Sequence, residues 1–76
     1  MTKAENLSNP ASCLNRAADD ELIFVLLEHD AAAPRAIRAW VTERIRLGMN
    51  RMSDEQIIRA IELAEKMETS ERRLHA

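Results

Sequence analysis

The sequence predicts an all-α protein, a compact bundle of about four short helices, and three observations support this prediction. Glycine occurs once, at position 48, in a chain rich in the residues that favour helices. The two prolines, Pro10 and Pro34, each stand where a helix is expected to begin, and proline suits the first turn of a helix. Finally, the sequence contains at most one strand-like segment, and a strand without a partner leaves its backbone groups unpaired.

The chain has 76 residues and is expected to form one domain, close to the lower limit for a self-supporting core. The sequence divides into a flexible N-terminus of residues 1–9, a single helical domain of residues 10–68 and a frayed C-terminal tail of residues 69–76. At this size the gain from buried area and the loss of entropy nearly cancel. Oligomerisation or a partner is therefore expected to add stability.

The first and the last predicted helices have recognisable N-terminal signals. The first is predicted over residues 10–17, with Ser8 or Asn9 as the cap. The last begins after Ser53, which forms with Gln56 the S-x-x-Q pattern of a capping box.

Residues 22–27, LIFVLL, are apolar throughout and allow two interpretations. Their β-branched and aromatic content is typical of a buried strand. However, no second strand is available, and Asp19 or Asp20 can cap a helix at this point. We therefore predict a helix over residues 20–29, and its apolar circumference makes it the central, most buried helix.

The third predicted helix lies between Pro34 and Gly48, which mark its start and its C-cap. Its apolar residues fall on one face, and those of the fourth helix form a stripe beginning at Ile57. The predicted core is Phe24, Leu26, Leu27, Ile37, Trp40, Val41, Ile45, Ile57, Ile61 and Ala64.

The net charge of −2 is unevenly distributed along the chain. Residues 1–30 carry two basic and six acidic side chains, residues 31–52 carry five arginines and one glutamate, and residues 53–76 carry four basic and six acidic groups. The protein is therefore not a polycation, which argues against direct binding of nucleic acid.

Enzymatic and metal chemistry find little support in the sequence. Cys13, His29 and Asp30 are the residue types of a thiol nucleophile with its base, but no glycine-rich oxyanion loop accompanies them. His29, His75 and the single cysteine lack the spacing of metal ligands. We therefore predict a non-enzymatic protein with no catalytic residues, no metal site and no cofactor.

The sequence also favours the cytoplasm and no membrane partner. A single cysteine excludes an internal disulfide bond and suits a reducing compartment. Residues 22–27 are too few to cross a bilayer, and no basic and apolar leader opens the chain.

A helix-turn-helix over residues 44–59 is the alternative that would bind DNA, with Arg46 and Arg51 near the turn. However, Asp54 and Glu55 stand at the start of the second helix, where phosphates would repel them. An ordinary antiparallel helix pair explains this region as well.

Eight charged residues are candidates for contact with a protein partner. An acidic face can compete with nucleic acid for a basic groove, and arginine is common at interfaces. The alternatives to contact with a partner are helix capping by the acidic residues and ion pairing within the chain. A second acidic face that could meet a basic groove consists of Glu62, Glu65 and Glu68. The candidates are Asp19, Asp20, Glu21, Glu28, Asp30, Arg35, Arg38 and Arg46.

Residues 13–40 resemble a segment of small uncharacterised bacterial and phage proteins. Leu22 stands where that pattern usually has proline, and Ile37 where it has valine. The residues that carry the resemblance are Cys13, Leu14, Ala18, Asp20, Glu21, Phe24, Val25, Leu26, Asp30, Ala33, Pro34, Arg38 and Trp40.

The resemblance implies a phage or mobile-element context, in which small acidic proteins commonly bind and block a larger host complex. In size and charge the chain is similar to anti-CRISPR proteins. The leading hypothesis is therefore an inhibitor of a host defence complex, such as a CRISPR effector complex, that blocks nucleic-acid binding through charged faces. The alternatives are a small DNA-binding regulator and a structural module that forms a homodimer.

Overall fold

A computed structural model describes residues 2–70, which contain two long helices, two short ones and no strand. The helices are α1 (Lys3–Ser8), α2 (Cys13–Arg16), α3 (Ala33–Arg46) and α4 (Glu55–Glu68). The all-α class is thereby confirmed for this part of the chain. Helix α1 lies inside the segment 1–9 that was predicted to be flexible. Predictions for residues 71–76, including most of the frayed tail and His75, fall outside the described residues.

The helices pack as two pairs, α1 with α2 and α3 with α4. The Cα radius of gyration is 13.2 Å, whereas a compact chain of this length has about 11 Å. The chain is therefore more extended than a compact bundle.

Helix α1 is capped by Thr2, which accepts from the backbone N–H of Glu5 at 3.1 Å. A side chain of α2 joins the two helices of the first pair: Asn15 donates to the carbonyl oxygens of Asn6, Leu7 and Asn9 at 2.8 to 3.0 Å. These bonds satisfy carbonyls at the end of α1 that have no partner within the helix.

Helix α2 is shorter than the helix predicted over residues 10–17. Its cap is Ser12, which accepts from the N–H of Asn15, and not the predicted Ser8 or Asn9. The side chain of Asn9 instead accepts from the N–H of Ala11 in a turn around Pro10, and this turn delays the helix.

Helix α3 has the predicted boundaries. Pro34 lies in its first turn, and Gly48 follows its end with a φ of +73°. The N–H of Gly48 donates to the carbonyl of Ile45, and the N–H of Met49 donates to that of Arg44, both at 3.0 Å. These two bonds define a Schellman motif, in which a left-handed residue ends the helix.

Helix α4 begins one residue later than its capping box predicts. The N-cap is Asp54, and the box between Ser53 and Gln56 does not form. The reason is the preceding turn: the Asp54 carboxylate accepts from the Arg51 N–H at 3.0 Å and from Asn50 Nδ2 at 2.9 Å. Gln56 also accepts from Asn50, at 3.3 Å. The acidic side chain thus closes the turn and does not cap the helix.

The core is small and lies between α3 and α4. Seven of the 69 described residues are buried, namely Ser12, Ala33, Pro34, Val41, Ile57, Ala64 and Met67. The prediction is confirmed for Val41, Ile57 and Ala64, whereas Leu26, Ile37, Ile45 and Ile61 are half-buried. It is wrong for Phe24, Leu27 and Trp40, which are exposed.

The central helix predicted over residues 20–29 does not form, and its absence explains the exposed aromatic residues. No helix, turn or bend occurs from residue 21 to residue 27, and no described residue other than Gly48 has a positive φ. The backbone here is therefore extended. A ten-residue helix is marginal alone, and Ile23, Phe24 and Val25 are weak helix formers. Without this helix, Trp40 on α3 remains 39% exposed.

Candidate functional site

The candidate site is built around residues 22–27, which we call the apolar segment. Leu22 is 97% exposed and Phe24 is 87% exposed, while Ile23, Val25 and Leu27 are exposed to between 54% and 61%. Side chains on both faces of this extended segment therefore meet solvent. An apolar stretch of this size at the surface is typical of an interaction site.

The backbone of the segment is unpaired as well. Within residues 2–70, no backbone hydrogen bond involves the N–H or C=O groups of residues 22–26. In a folded protein such groups pair with a neighbouring chain or with water. The segment therefore presents the edges of a strand that belongs to no sheet.

Two turns that contain the acidic candidates hold the ends of the segment. In the first, the N–H of Glu21 donates to the carbonyl of Ala18 at 3.0 Å, and the Glu21 carboxylate accepts from the N–H of Ala18 at 3.0 Å. Asp19 and Asp20 lie between them and are exposed. Glu21 thus fixes the turn, and its two neighbours project their charge into solvent.

The second turn leads from the segment into α3. The N–H of Asp30 donates to the carbonyl of Leu27 at 3.0 Å, and the Asp30 carboxylate accepts from the N–H of Ala32 at 2.8 Å. Glu28 accepts a hydrogen bond from the hydroxyl of Ser70, just beyond the end of α4. The segment is therefore anchored at both ends, with acidic residues at each.

The segment meets α3 at a shallow pocket of about 360 Å³. Trp40, which is 39% exposed, forms part of this pocket, and the guanidinium of Arg44 lies over its ring at 5.4 Å from the centroid. The residues that line the pocket are Phe24, Leu26, Ala36, Ile37 and Trp40. Phe24 and Trp40 thus place two exposed aromatic rings on one continuous apolar surface.

The basic candidates do not gather at this surface. Arg38 binds Glu68 at 2.6 Å, and this hydrogen bond raises the pKa of Arg38. Arg46 binds Glu43 and lowers the pKa of that carboxyl. The acidic partner of Arg38 lies on α4 and that of Arg46 lies on α3, so neither partner is one of the acidic candidates. Arg35 is exposed and forms no ion pair within residues 2–70.

The region 44–59 forms a helical hairpin. The contact between Arg38 and Glu68 brings the start of α3 to the end of α4, so the two helices run antiparallel. At the connecting turn, Arg44 Nε donates to Asn50 Oδ1 at 2.6 Å, and Asn50 in turn binds Asp54. Of the arginines near the turn, Arg44 is therefore bonded to Asn50 and Arg46 to Glu43.

A second hollow lies along this hairpin and has a volume of about 400 Å³. Unlike the pocket beside the apolar segment, it contains no exposed aromatic ring and no unpaired strand edge. Its lining residues are Arg38, Val41, Thr42, Ile45, Met52 and Ile61.

Within residues 2–70, no hydrogen bond joins Cys13 to His29 or Asp30. Cys13 is exposed, and the contact of its sulfur is with Arg16, at 3.6 Å. No three His, Cys, Asp or Glu side chains within residues 2–70 are grouped so that they could hold a metal ion. No helix in that range has the length and apolar character needed to span a membrane.

Because comparison with known proteins finds no match, the function is inferred from the geometry of the chain. No protein-family model, no curated protein and no solved structure matches the chain.

The sequence interpretation missed the exposure of Leu22, Phe24 and Trp40 and placed the two aromatic residues in the core. The signal was present: β-branched and aromatic side chains in residues 22–27 favour extended backbone. That interpretation was set aside because a strand needs a partner within the chain. Here the segment remains extended, and residues 2–70 contain no strand that could pair with it.

Proposed function

We propose that the protein is a non-enzymatic phage or mobile-element protein that binds a larger host protein assembly in the cytoplasm and blocks its function. The observation that carries this proposal is the apolar segment, exposed and unpaired between two acidic turns. The proposed target is a host defence complex of the CRISPR effector type, at a surface that otherwise binds nucleic acid.

The apolar side chains supply the affinity in this proposal. Phe24 and Trp40 are large and exposed, and aromatic residues are common among those that dominate binding energy. Because the turns already hold the segment extended, little conformational entropy is lost when a partner covers it. Covering it also gives Phe24 and Leu27 the buried environment that the sequence predicts for them.

In this proposal, the negative charge of the acidic turns determines which partner surface is bound. Asp19 and Asp20 at one end and Asp30 at the other place exposed negative charge on both sides of an apolar strip. Such a surface is attracted to a basic groove, and it competes there with the phosphates of nucleic acid. The same charge is repelled by anionic membranes, so a protein surface is the better match.

The test is the binding of target DNA by purified CRISPR surveillance complexes, measured by mobility shift with increasing amounts of the protein. The proposal expects loss of DNA binding by at least one class of complex at stoichiometric protein. The variant Phe24→Ala should weaken the inhibition at least tenfold while retaining the helical circular dichroism of the wild type.

Charge reversal then shows which of the two acidic faces binds the partner. Asp19→Lys with Asp20→Lys changes the charge at the segment, and Glu62→Lys with Glu65→Lys makes the same change on exposed positions of α4. We expect the first pair to abolish inhibition and the second to leave it within twofold. The opposite result would place the interface on α4 and contradict the proposed surface.

A further inference from the structure

We infer that the apolar segment binds by adding a strand to a free sheet edge of its partner, and that this edge carries lysine or arginine at both ends. This inference rests on the proposed function and specifies how the partner is recognised. It makes the backbone of the segment, and not only its side chains, part of the interface.

The unpaired backbone is the first argument. The N–H and C=O groups of residues 22–26 form no hydrogen bond within residues 2–70, although the backbone there is extended. A strand spanning six residues is about 20 Å long and offers alternate groups to each side. Peptides recognised by strand addition gain affinity through these groups and specificity through alternate side chains.

The turns at the two ends are the second argument. Exposed strand edges invite unwanted pairing, and proteins usually protect them with charge or cover them. Here Glu21 and Asp30 fix the turns through hydrogen bonds from backbone N–H groups, so both ends of the segment are anchored and its edge remains open. An arrangement fixed in this way is suited to pairing with another strand.

Charge decides which strand is accepted. In a symmetric antiparallel pair of two copies of this chain, centred on Val25, Asp20 would face Asp30. A parallel pair would place each acidic end beside itself. Like charges facing each other across strands are destabilising, so the segment disfavours a second copy. A strand with basic residues at both ends meets each acidic turn with the opposite charge.

The experiment uses the full chain and a synthetic ten-residue peptide in which three alternating threonine and valine pairs are flanked by two lysines at each end. A matched peptide carries glutamates in place of the lysines. Amide hydrogen exchange is followed by NMR with each peptide, and affinity is measured by titration.

We expect the basic peptide to protect amides of residues 22–27 and to bind at least tenfold more tightly than the acidic one. Equal binding of the two peptides, or no protection of these amides, would overturn the inference. Protection already present in the free monomer would also overturn it, because the chain itself would then cover the segment. Concentration-dependent protection without peptide would instead identify a second copy as the partner and contradict it.

Two proline variants test the backbone directly. Proline removes an N–H, and the N–H groups of adjacent residues in a strand point to opposite edges. Leu22→Pro and Ile23→Pro therefore remove donors from different edges at exposed positions. One variant should lose at least tenfold in affinity for the basic peptide and the other should stay within threefold. Equal affinities, whether retained or lost, would contradict pairing along one edge.

These results are distinguishable from a failure of the proposed function. If a defence complex is inhibited through Phe24 but the peptide does not protect the segment, docking occurs through side chains and only the strand addition fails. If the peptide protects the segment but the tested complexes are not inhibited, the recognition mode holds and the proposed target is wrong.

Discussion

The guanidinium of Arg44 lies over the indole ring of Trp40, with its central carbon 5.4 Å from the ring centroid. The same guanidinium donates to Asn50 Oδ1, which ties it to the turn between α3 and α4. The ring is thereby held at the surface beside Phe24 by a cation that is itself fixed. A tryptophan arranged in this way is ready to be covered by a partner, because it does not have to leave a core.

Truncation should affect Trp40 and Ile57 very differently. Ile57 is fully buried between α3 and α4, so Ile57→Ala should cost about 2–5 kcal/mol of unfolding free energy. Trp40→Ala loses partial burial and a cation–π contact worth about 0.5–1 kcal/mol, so we expect a smaller cost, on the order of 1–2 kcal/mol. Urea unfolding measures both.

Phe24→Ala is the matched control for this comparison. Its side chain is 87% exposed, and its truncation should change the unfolding free energy by less than about 0.5 kcal/mol. A loss for Phe24→Ala as large as that for Ile57→Ala would show that the apolar segment is packed in solution.

Replacement of Gly48 by alanine should destabilise the protein by about 1–2 kcal/mol. The residue ends α3 with a φ of +73°, a conformation that costs an L-residue with a Cβ about this much. An added Cβ at Gly48 would meet no atom within 4 Å, so the cost comes from the backbone alone. Thermal unfolding measures it.

Gly48→Asn provides the control, since asparagine tolerates the left-handed region better than alanine. It should recover part of the stability lost in Gly48→Ala. An alanine variant as stable as the wild type would mean that the Schellman motif does not hold the end of α3.

Asp54 should make stability depend on pH in the acid range. Hydrogen bonds from the Arg51 N–H and from Asn50 hold the pKa of Asp54 below its ordinary value. A group with a lowered folded pKa stabilises the protein above the unfolded pKa, near 4, and this stabilisation is lost as pH falls through the folded pKa. The free energy of unfolding should therefore fall below about pH 4.

Asp54→Asn removes this dependence. Its unfolding free energy should be lower than that of the wild type at neutral pH, and the two should converge as the pH falls toward 2. Asn50→Ala, which removes one of the two donors, should show an intermediate slope. Parallel pH profiles for the wild type and Asp54→Asn would contradict the role of the carboxylate in the turn.

The ion pair between Arg38 and Glu68 should contribute little to stability. Both side chains are more than 40% exposed, although their atoms approach to 2.6 Å. Exposed pairs of this kind are typically worth about 0.2–1 kcal/mol. A double-mutant cycle with Arg38→Ala and Glu68→Ala measures the coupling, and addition of salt should reduce it.

A coupling energy well above 1 kcal/mol would give the pair a structural role in closing the helical hairpin. In that case charge reversal at Arg38 would perturb the fold, and its effect on binding could not be assigned to the interface.

Local signals predicted the helical hairpin well. Pro34 and Gly48 bracket α3, and the apolar stripe from Ile57 identifies the buried face of α4, because caps and periodicity depend on neighbouring residues only. The capping box at Ser53 failed because Asp54 engages the turn before it. In the N-terminal segment, Thr2 and Glu5 fit the S/T-x-x-E pattern and mark the start of α1, a signal that the sequence interpretation did not use.

The candidate site was harder to predict because its conformation depends on the absence of a neighbour. Residues 22–27 have the composition of a strand, and the sequence does not reveal whether a partner strand is supplied by the chain or from outside. The acidic candidates Glu21 and Asp30 lie in the turns at the two ends of the segment, and their role in binding stays a prediction. The ion-pair partners of Arg38 and Arg46, which are Glu68 and Glu43, could not be predicted without the fold, since i,i+3 pairs and long-range pairs compete for the same cations.

The acidic turns around the apolar segment also oppose aggregation of the protein. Six consecutive apolar residues with β-branched and aromatic side chains, and without proline or glycine, have the composition of segments that stack into fibrils. Charged residues at both ends act against such stacking. High salt screens these charges, so aggregation through the segment is expected to begin under conditions in which the helices are still folded.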